Sequence, residues 1–284
     1  MKRVILCPNP YKDINLDVTR EAKRLLEAAG FAVNICPEVL DELPNGMPSD
    51  IAYSEFYEVI DDAVLVVSLG GDGTIMHTIR RMIGHDIPVI GVNLGTVGFL
   101  SELERGELPQ LVEAAKGHFT LSPRMMLQIE VERKGELVFS NYALNDVYLH
   151  GIVQTIHMTA WGDDRKILEF AGDGVVISSP TGSTAYSMSA GGPIVEPTAE
   201  NLILTPICAC ALVARSFVLA PDRVVTVQVK DLRCKAFISA DGGYFDILEG
   251  DILRVRKAEH RALIAHVGEK AFYDIVFEKL GEAR

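Results

Sequence analysis

The chain has 284 residues, 48% of them hydrophobic and 23% charged, a globular composition with enough apolar material for one large core or two medium ones. Its formal charge is −12, from 27 basic and 39 acidic residues, so the surface as a whole repels nucleic-acid backbones and anionic lipid. No apolar run reaches the roughly 20 residues that span a bilayer, and the opening MKRVILCPNPYKD is broken by Pro8 and Pro10 before a signal-peptide core forms.

In chain order, residues 3–7 read as a buried strand. Residues 17–29 read as a helix with Val18, Ala22, Leu25, Leu26 and Ala29 on one face, Asp17 at its N-cap and Gly30 at its stop. A short strand is predicted at 31–36, and 38–60 carries no clear pattern. A continuous β-branched run at 63–69 ends in glycines, 74–83 is helical, and 87–92 is a third such run. Continuous apolar strands alternating with helices indicate a parallel sheet covered on both faces. From about residue 120 the pattern changes to closely spaced short strands, at 125–133, 136–139, 142–149, 154–160, 165–170, 175–178, 201–205, 223–229, 235–240, 245–248 and 252–256. The expected fold is therefore an α/β domain with a doubly wound parallel sheet, residues 1–102 and 258–284, plus a β-rich, sandwich-like domain, residues 103–257. The final AFYDIVFEKL fits neither period and is expected to return to the first domain. Cys7, Cys36, Cys208, Cys210 and Cys234, odd in number and scattered, predict reduced packing thiols in a cytoplasmic protein.

The run LVVSLGGDGTIMH raises a chemical question, because Asp72 stands among Gly70, Gly71 and Gly73 just before Thr74 opens a helix. At the carboxyl end of a parallel strand, glycines let a ligand approach the backbone and a helix N-terminus aims N–H groups at it. Asp72 either projects into that crevice or simply caps the helix. Neither GxxxxGK[ST] nor GxGxxG is present. The GGDG turn resembles one shared by phosphofructokinases, diacylglycerol and sphingosine kinases and NAD kinases, which implies transfer of phosphate to a hydroxyl.

A second stretch, GDGVVISSPTGSTAYSMSAGGP at 172–193, combines a strand, a loop of small hydroxyl donors and a short helix near Ser183, with Tyr186 offering a ring that can stack on a base. It resembles the signature of the NAD kinase family, departing mildly at Ser179 and Met188. The order GGDGT, GVNLGTVGFL, LNDV, this signature and SADG is also the family's.

The resemblance implies transfer of the terminal phosphate of ATP, carried with Mg²⁺, to the adenosine ribose 2′-hydroxyl of NAD, giving NADP. Asp72 is then the general base, with Gly70, Gly71, Gly73 and Thr74 as the phosphate-donor loop. Asn145 and Asp146 match the Asn-Glu pair that holds the ribose hydroxyls, Asp146 being one methylene shorter than the usual Glu. Asp173, Thr184, Ala185, Tyr186 and Ser189 match positions lining the dinucleotide, with Gly73, Phe99, His77 and His157 as further contacts. Cys208 matches a ligand contact across a subunit interface, or packs as a buried thiol. Gly243 stands where many relatives carry a polar side chain. The resemblance also implies a homodimer or homotetramer, with NAD bound in the cleft between the domains.

No His, Cys and Asp cluster has zinc spacing, so no metal site built from protein side chains is expected. The serines of PTGST lack a GxSxG elbow, which removes a serine hydrolase. Two other functions stay open beside the NAD kinase, a lipid or sphingoid-base kinase of the same superfamily and a non-catalytic dinucleotide sensor. Inorganic polyphosphate is an alternative donor.

Overall fold

The computed structural model describes residues 2–37, 48–95, 98–210, 214–268 and 271–281. Residues 38–47, within the stretch of no clear pattern, lie outside the described residues, as do Thr96 and Val97. The chain divides into two compact units, Met1–Pro123 with Ala262–Arg284, and Arg124–Arg261.

The first unit contains β1 (Arg3–Pro8), α1 (Asp17–Ala28), β2 (Ala32–Ile35), α2 (Phe56–Val59), β3 (Ala63–Gly70), α3 (Asp72–Arg81), β4 (Val89–Asn93), β5 (Leu103–Glu104) and α4 (Gln110–Lys116). Parallel pairing runs β2–β1–β3–β4–β5. The strands are apolar throughout because both faces are covered. Val4, Leu6, Leu65, Val67, Leu69, Ile90 and Val92 pack with Val18, Ala22 and Leu26 of α1 and with Leu111 and Ala114 of α4. On the opposite face Thr78 of α3 donates to Ser68 of β3 at 3.3 Å, and Ile75 presses against Gly91 of β4. This is the doubly wound sheet expected from the pattern.

Two local expectations are corrected. Asp17 does not cap α1. The buried Asp13 does, its carboxylate accepting from Val18 N at 3.0 Å and from the amide and hydroxyl of Thr19 at 2.8 and 2.6 Å. A 3₁₀ turn at Ile14–Leu16, with Asn15 and Leu16 at positive φ, carries the chain from cap to helix. The first unit also runs on to Pro123, past residue 102, because α4 joins its core, and it resumes at Ala262 rather than at 258.

The second unit is antiparallel. Its strands are β6 (Thr120–Arg133, entering at residue 124), β7 (Glu136–Ala143), β8 (Asp146–Gly151), β9 (Ile156–Gly162), β10 (Arg165–Gly172), β11 (Gly174–Ser178), β12 (Leu202–Ile207), β13 (Phe217–Leu219), β14 (Val225–Lys230), β15 (Ala236–Ala240), β16 (Gly243–Ile247) and β17 (Ile252–His266), with the short helix α5 (Tyr186–Ser189) between β11 and β12. One sheet has the order β13–β12–β11–β8–β15–β16, and the other runs β10–β9–β14–β17, with β6 pairing both β17 and β7. Alternate residues of both, among them Leu127, Leu149, Ile177, Val227, Ile238 and Leu253, fill one core, which makes the unit a sandwich. From Ala262 onward β17 belongs to the first unit, where Ile264 pairs with Val89 of β4, and α6 (Phe272–Gly281) follows it there.

Candidate active site

In the first unit, β3 ends at Gly70 and α3 begins at Asp72, so the glycines lie at the carboxyl end of the parallel sheet. Asp72 does not cap its own helix. Its half-buried carboxylate reaches across to the loop after β4, accepting from Phe99 N at 2.7 Å and Leu100 N at 3.1 Å. Only glycine at position 98 permits this, since a Cβ there would stand 2.0 Å from Asp72 Oδ1. A carboxylate has about four lone-pair sites, so two N–H donors hold it in place and leave capacity for a third proton donor. Thr74 is buried and accepts from Gly71 N at 3.4 Å and from the Asn9 amide at 3.1 Å. Phe99 is half-buried, and His77 is exposed on α3.

In the second unit the turn before β8 is held from two sides. Asp241 accepts from three consecutive amides, Leu144 N at 2.6 Å and Asn145 N and Asp146 N at 3.2 Å each. From the other side the signature loop grips the same turn: Ser179 N donates to Asn145 O at 2.8 Å, Ser179 Oγ to Leu144 O at 2.5 Å, and Gly182 N to Ser179 Oγ at 3.1 Å. Gly182 touches the turn so closely that a Cβ would lie 2.0 Å from Asn145 O. The Asn145–Asp146 pair is thus fixed in position by backbone bonds.

Asp146 is 6% exposed and accepts from Tyr186 N at the start of α5. Burial, with the nearby charge of Asp241, pushes its carboxyl up to about 7. Burial also raises the Tyr186 phenol, and the charges of Tyr148, Cys208, Asp146 and Asp173 add to the effect. Tyr148 meets that ring edge-on at 4.9 Å, and Phe237 and Tyr244 continue the aromatic row. The Cys208 thiol donates to the Asp173 carboxylate, which raises its pKa. Thr184 is buried, Ala185 half-buried and Ser189 exposed along the loop and α5.

Cys208 is exposed and sits at φ +46°, so its reading as a buried packing thiol is wrong. Packing describes Cys7 and Cys36, whereas Cys210 is exposed and Cys234 half-buried. His157 lies exposed on β9, in the other sheet, and among the described residues no hydrogen bond or ion pair ties it to the Tyr186 cluster. Asp241, within SADG, is a functional residue that the sequence pattern does not single out. Its partners lie about a hundred positions earlier, and only the ADG turn, with Asp241 at φ +43°, hinted at a special backbone. Among the described residues no group of three or more His, Cys, Asp or Glu is gathered to hold a metal ion.

A family model described as the ATP-NAD kinase N-terminal domain matches residues 4–117, and one described as the ATP-NAD kinase C-terminal domain matches residues 144–267. The chain belongs to the ATP-NAD kinase family. It is 33% identical to the NAD kinase of Ruminiclostridium cellulolyticum over 100% of this chain and 99% of that protein. It is 36% identical to that of Symbiobacterium thermophilum over 99% of each. Among solved structures it resembles yeast NADH kinase complexed with NADH, with a TM-score of 0.85 and 25% identity over 100% of this chain and 88% of that one. An NAD kinase from Archaeoglobus fulgidus in complex with ATP shares the fold, with a TM-score of 0.73 at 20% identity over 99% and 100% of the two chains. Within the ATP-NAD kinase family the GGDG turn falls inside the N-terminal match, and the Asn145–Asp146 turn and the 172–193 signature inside the C-terminal one.

Proposed function

We propose that this chain is an ATP-dependent NAD kinase that phosphorylates the adenosine ribose 2′-hydroxyl of NAD to give NADP. In that reaction the 2′-oxygen forms a bond to the terminal phosphorus of ATP, the bond from that phosphorus to the bridging oxygen breaks, and ADP leaves. The hydroxyl proton passes to Asp72. Phosphoryl transfer through a loose transition state depends on positioning and charge neutralisation more than on a strong base, so a carboxylate held by two amides suits the task. Gly70, Gly71, Gly73 and Thr74 receive the donor phosphates, and Mg²⁺ arrives with the triphosphate as part of the substrate.

Asn145 and Asp146 bind ribose hydroxyls. With its carboxyl near 7, Asp146 can accept from one hydroxyl or donate to another at neutral pH. Tyr186 stacks on a base, and Asp173, Thr184, Ala185, Ser189 and Cys208 line the dinucleotide, with Phe99, His77 and His157 as outer contacts. The Asn145–Asp146 turn, fixed between Asp241 on one side and the signature loop on the other, is the observation that carries this reading. The reaction is assigned to the cytoplasm and to a homodimer or homotetramer. No helix among the described residues is long and apolar enough to cross a membrane.

The experiment is a coupled NADP-formation assay with ATP or polyphosphate as donor and NAD or NADH as acceptor, with and without Mg²⁺. NADP formed from ATP, NAD and Mg²⁺ is the expected result. Phosphorylation of a lipid extract without NADP formation, or NAD binding without turnover, would overturn it in favour of the lipid kinase or the sensor.

A further inference from the structure

The stretch Asn9 to Asp13, NPYKD, takes no part in the chemistry described above, yet it is built onto the GGDG turn. Asn9 N donates to Leu69 O at 2.8 Å, and the Asn9 side chain donates to Thr74 Oγ1 at 3.1 Å while accepting from Tyr11 N at 3.0 Å. Lys12 N and Asp13 N close the bend by donating to Asn9 O at 3.0 and 2.9 Å. Asp13 then locks the far end onto α1. The bend is therefore fixed at both ends, and the Lys12 side chain reaches back over the glycines. Lys12 Nζ lies 2.5 Å from where a Cβ on Gly71 would stand and 3.4 Å from one on Gly95. The ammonium thus sits over the bare backbone of the β3–α3 turn, beside the loop that follows β4.

Among the described residues no carboxylate pairs with Lys12, although acids lie nearby. Lys12 lines a cavity of about 320 Å³ with Arg105, Asn93, Asp13, Asp17 and Glu104. Two of these acids are engaged, Asp13 with the α1 amides and Glu104 with the Asn93 side chain at 3.2 Å. On a chain of net charge −12, a polyphosphate needs a local cation wherever it binds. An ammonium over a bare glycine turn is an arrangement that meets this need.

We propose that Lys12 is a donor-positioning residue whose ammonium binds the outer phosphates of the triphosphate at the GGDG turn. This rests on the kinase reading above, and Lys12 thereby joins the donor site while taking no part in binding NAD.

The test compares wild type with Lys12→Met, which keeps most of the stem, and Lys12→Arg, which keeps the charge. Loss of one charge-assisted contact predicts that kcat/KM for ATP falls about 10- to 100-fold in Lys12→Met. NAD binding, measured calorimetrically without ATP, should stay within about twofold, and Lys12→Arg should recover most of the activity. Calorimetry with ATP alone and with inorganic tripolyphosphate should show the same loss in Lys12→Met. The proposal is overturned if Lys12→Met keeps kcat/KM for ATP within about twofold, or if NAD binding falls as far as ATP binding does. If wild type forms no NADP, the kinase reading fails instead, and the tripolyphosphate titrations still decide whether Lys12 holds phosphate.

Discussion

Asp241 and Asp146 divide two tasks between neighbouring carboxylates. Asp241 accepts three backbone amides and so shapes the turn that presents Asn145 and Asp146. Asp146, buried beside that charge, binds its proton unusually tightly, up to about pH 7. An unfolded Asp releases its proton at about pH 3.9. Between these values the folded chain binds more protons than the unfolded one, so this group's contribution to stability declines as pH rises. Below about pH 4 both states are protonated and the penalty is absent, and above the folded value it is fully present. Asp146→Asn removes the titration. Its urea midpoint relative to wild type should therefore rise progressively from pH 5 to pH 8, and a difference that stays constant across that range would show that Asp146 is not the buried acid described here.

The elements show where physical chemistry is legible in sequence. β1, β3 and β4 could be read directly because helices cover both faces and leave no polar side to the pattern, as Val4 to Cys7, all 0% exposed, illustrate. The ends were less legible. In β17 the pattern ends at 256 because Lys257, Glu259 and His260 leave only the small Ala258 as an apolar position there, whereas the strand runs to His266. α6 is not readable because its run of apolar residues at 275–277 fits neither period cleanly, and β13 is too short to show a period. Sequence pattern points to Asp17 as the cap of α1 because it stands next to the apolar stripe, whereas the true cap, Asp13, acts from across a 3₁₀ turn. Asp13→Ala removes a buried acceptor of three donors and should lower stability by about 2 kcal/mol in denaturant unfolding. A loss under about 0.5 kcal/mol, the scale of a plain surface change, would contradict this account of the cap.

At the scale of the whole molecule, the contiguous motifs were the most legible parts of the candidate site. The residues from Gly172 to Pro193 run unbroken through β11, the signature loop and α5, whose Tyr186 meets Tyr148 edge-on. Lys12 and Asp241 were not legible because each acts on a turn distant in sequence, and only the folded chain brings them there. The exposure of Cys208 was hidden for a related reason, since its left-handed backbone turns it out of the apolar run that precedes it. The central claim concerns Asp72, a carboxylate held by the amides of Phe99 and Leu100 and assigned the proton of the attacking hydroxyl. Its most direct test is NADP formation from ATP and NAD by wild type and by Asp72→Asn, with NAD binding measured in parallel. We predict that kcat falls about 10²- to 10⁴-fold while NAD affinity stays within a few-fold. An Asp72→Asn enzyme that turns over at the wild-type rate would contradict the account.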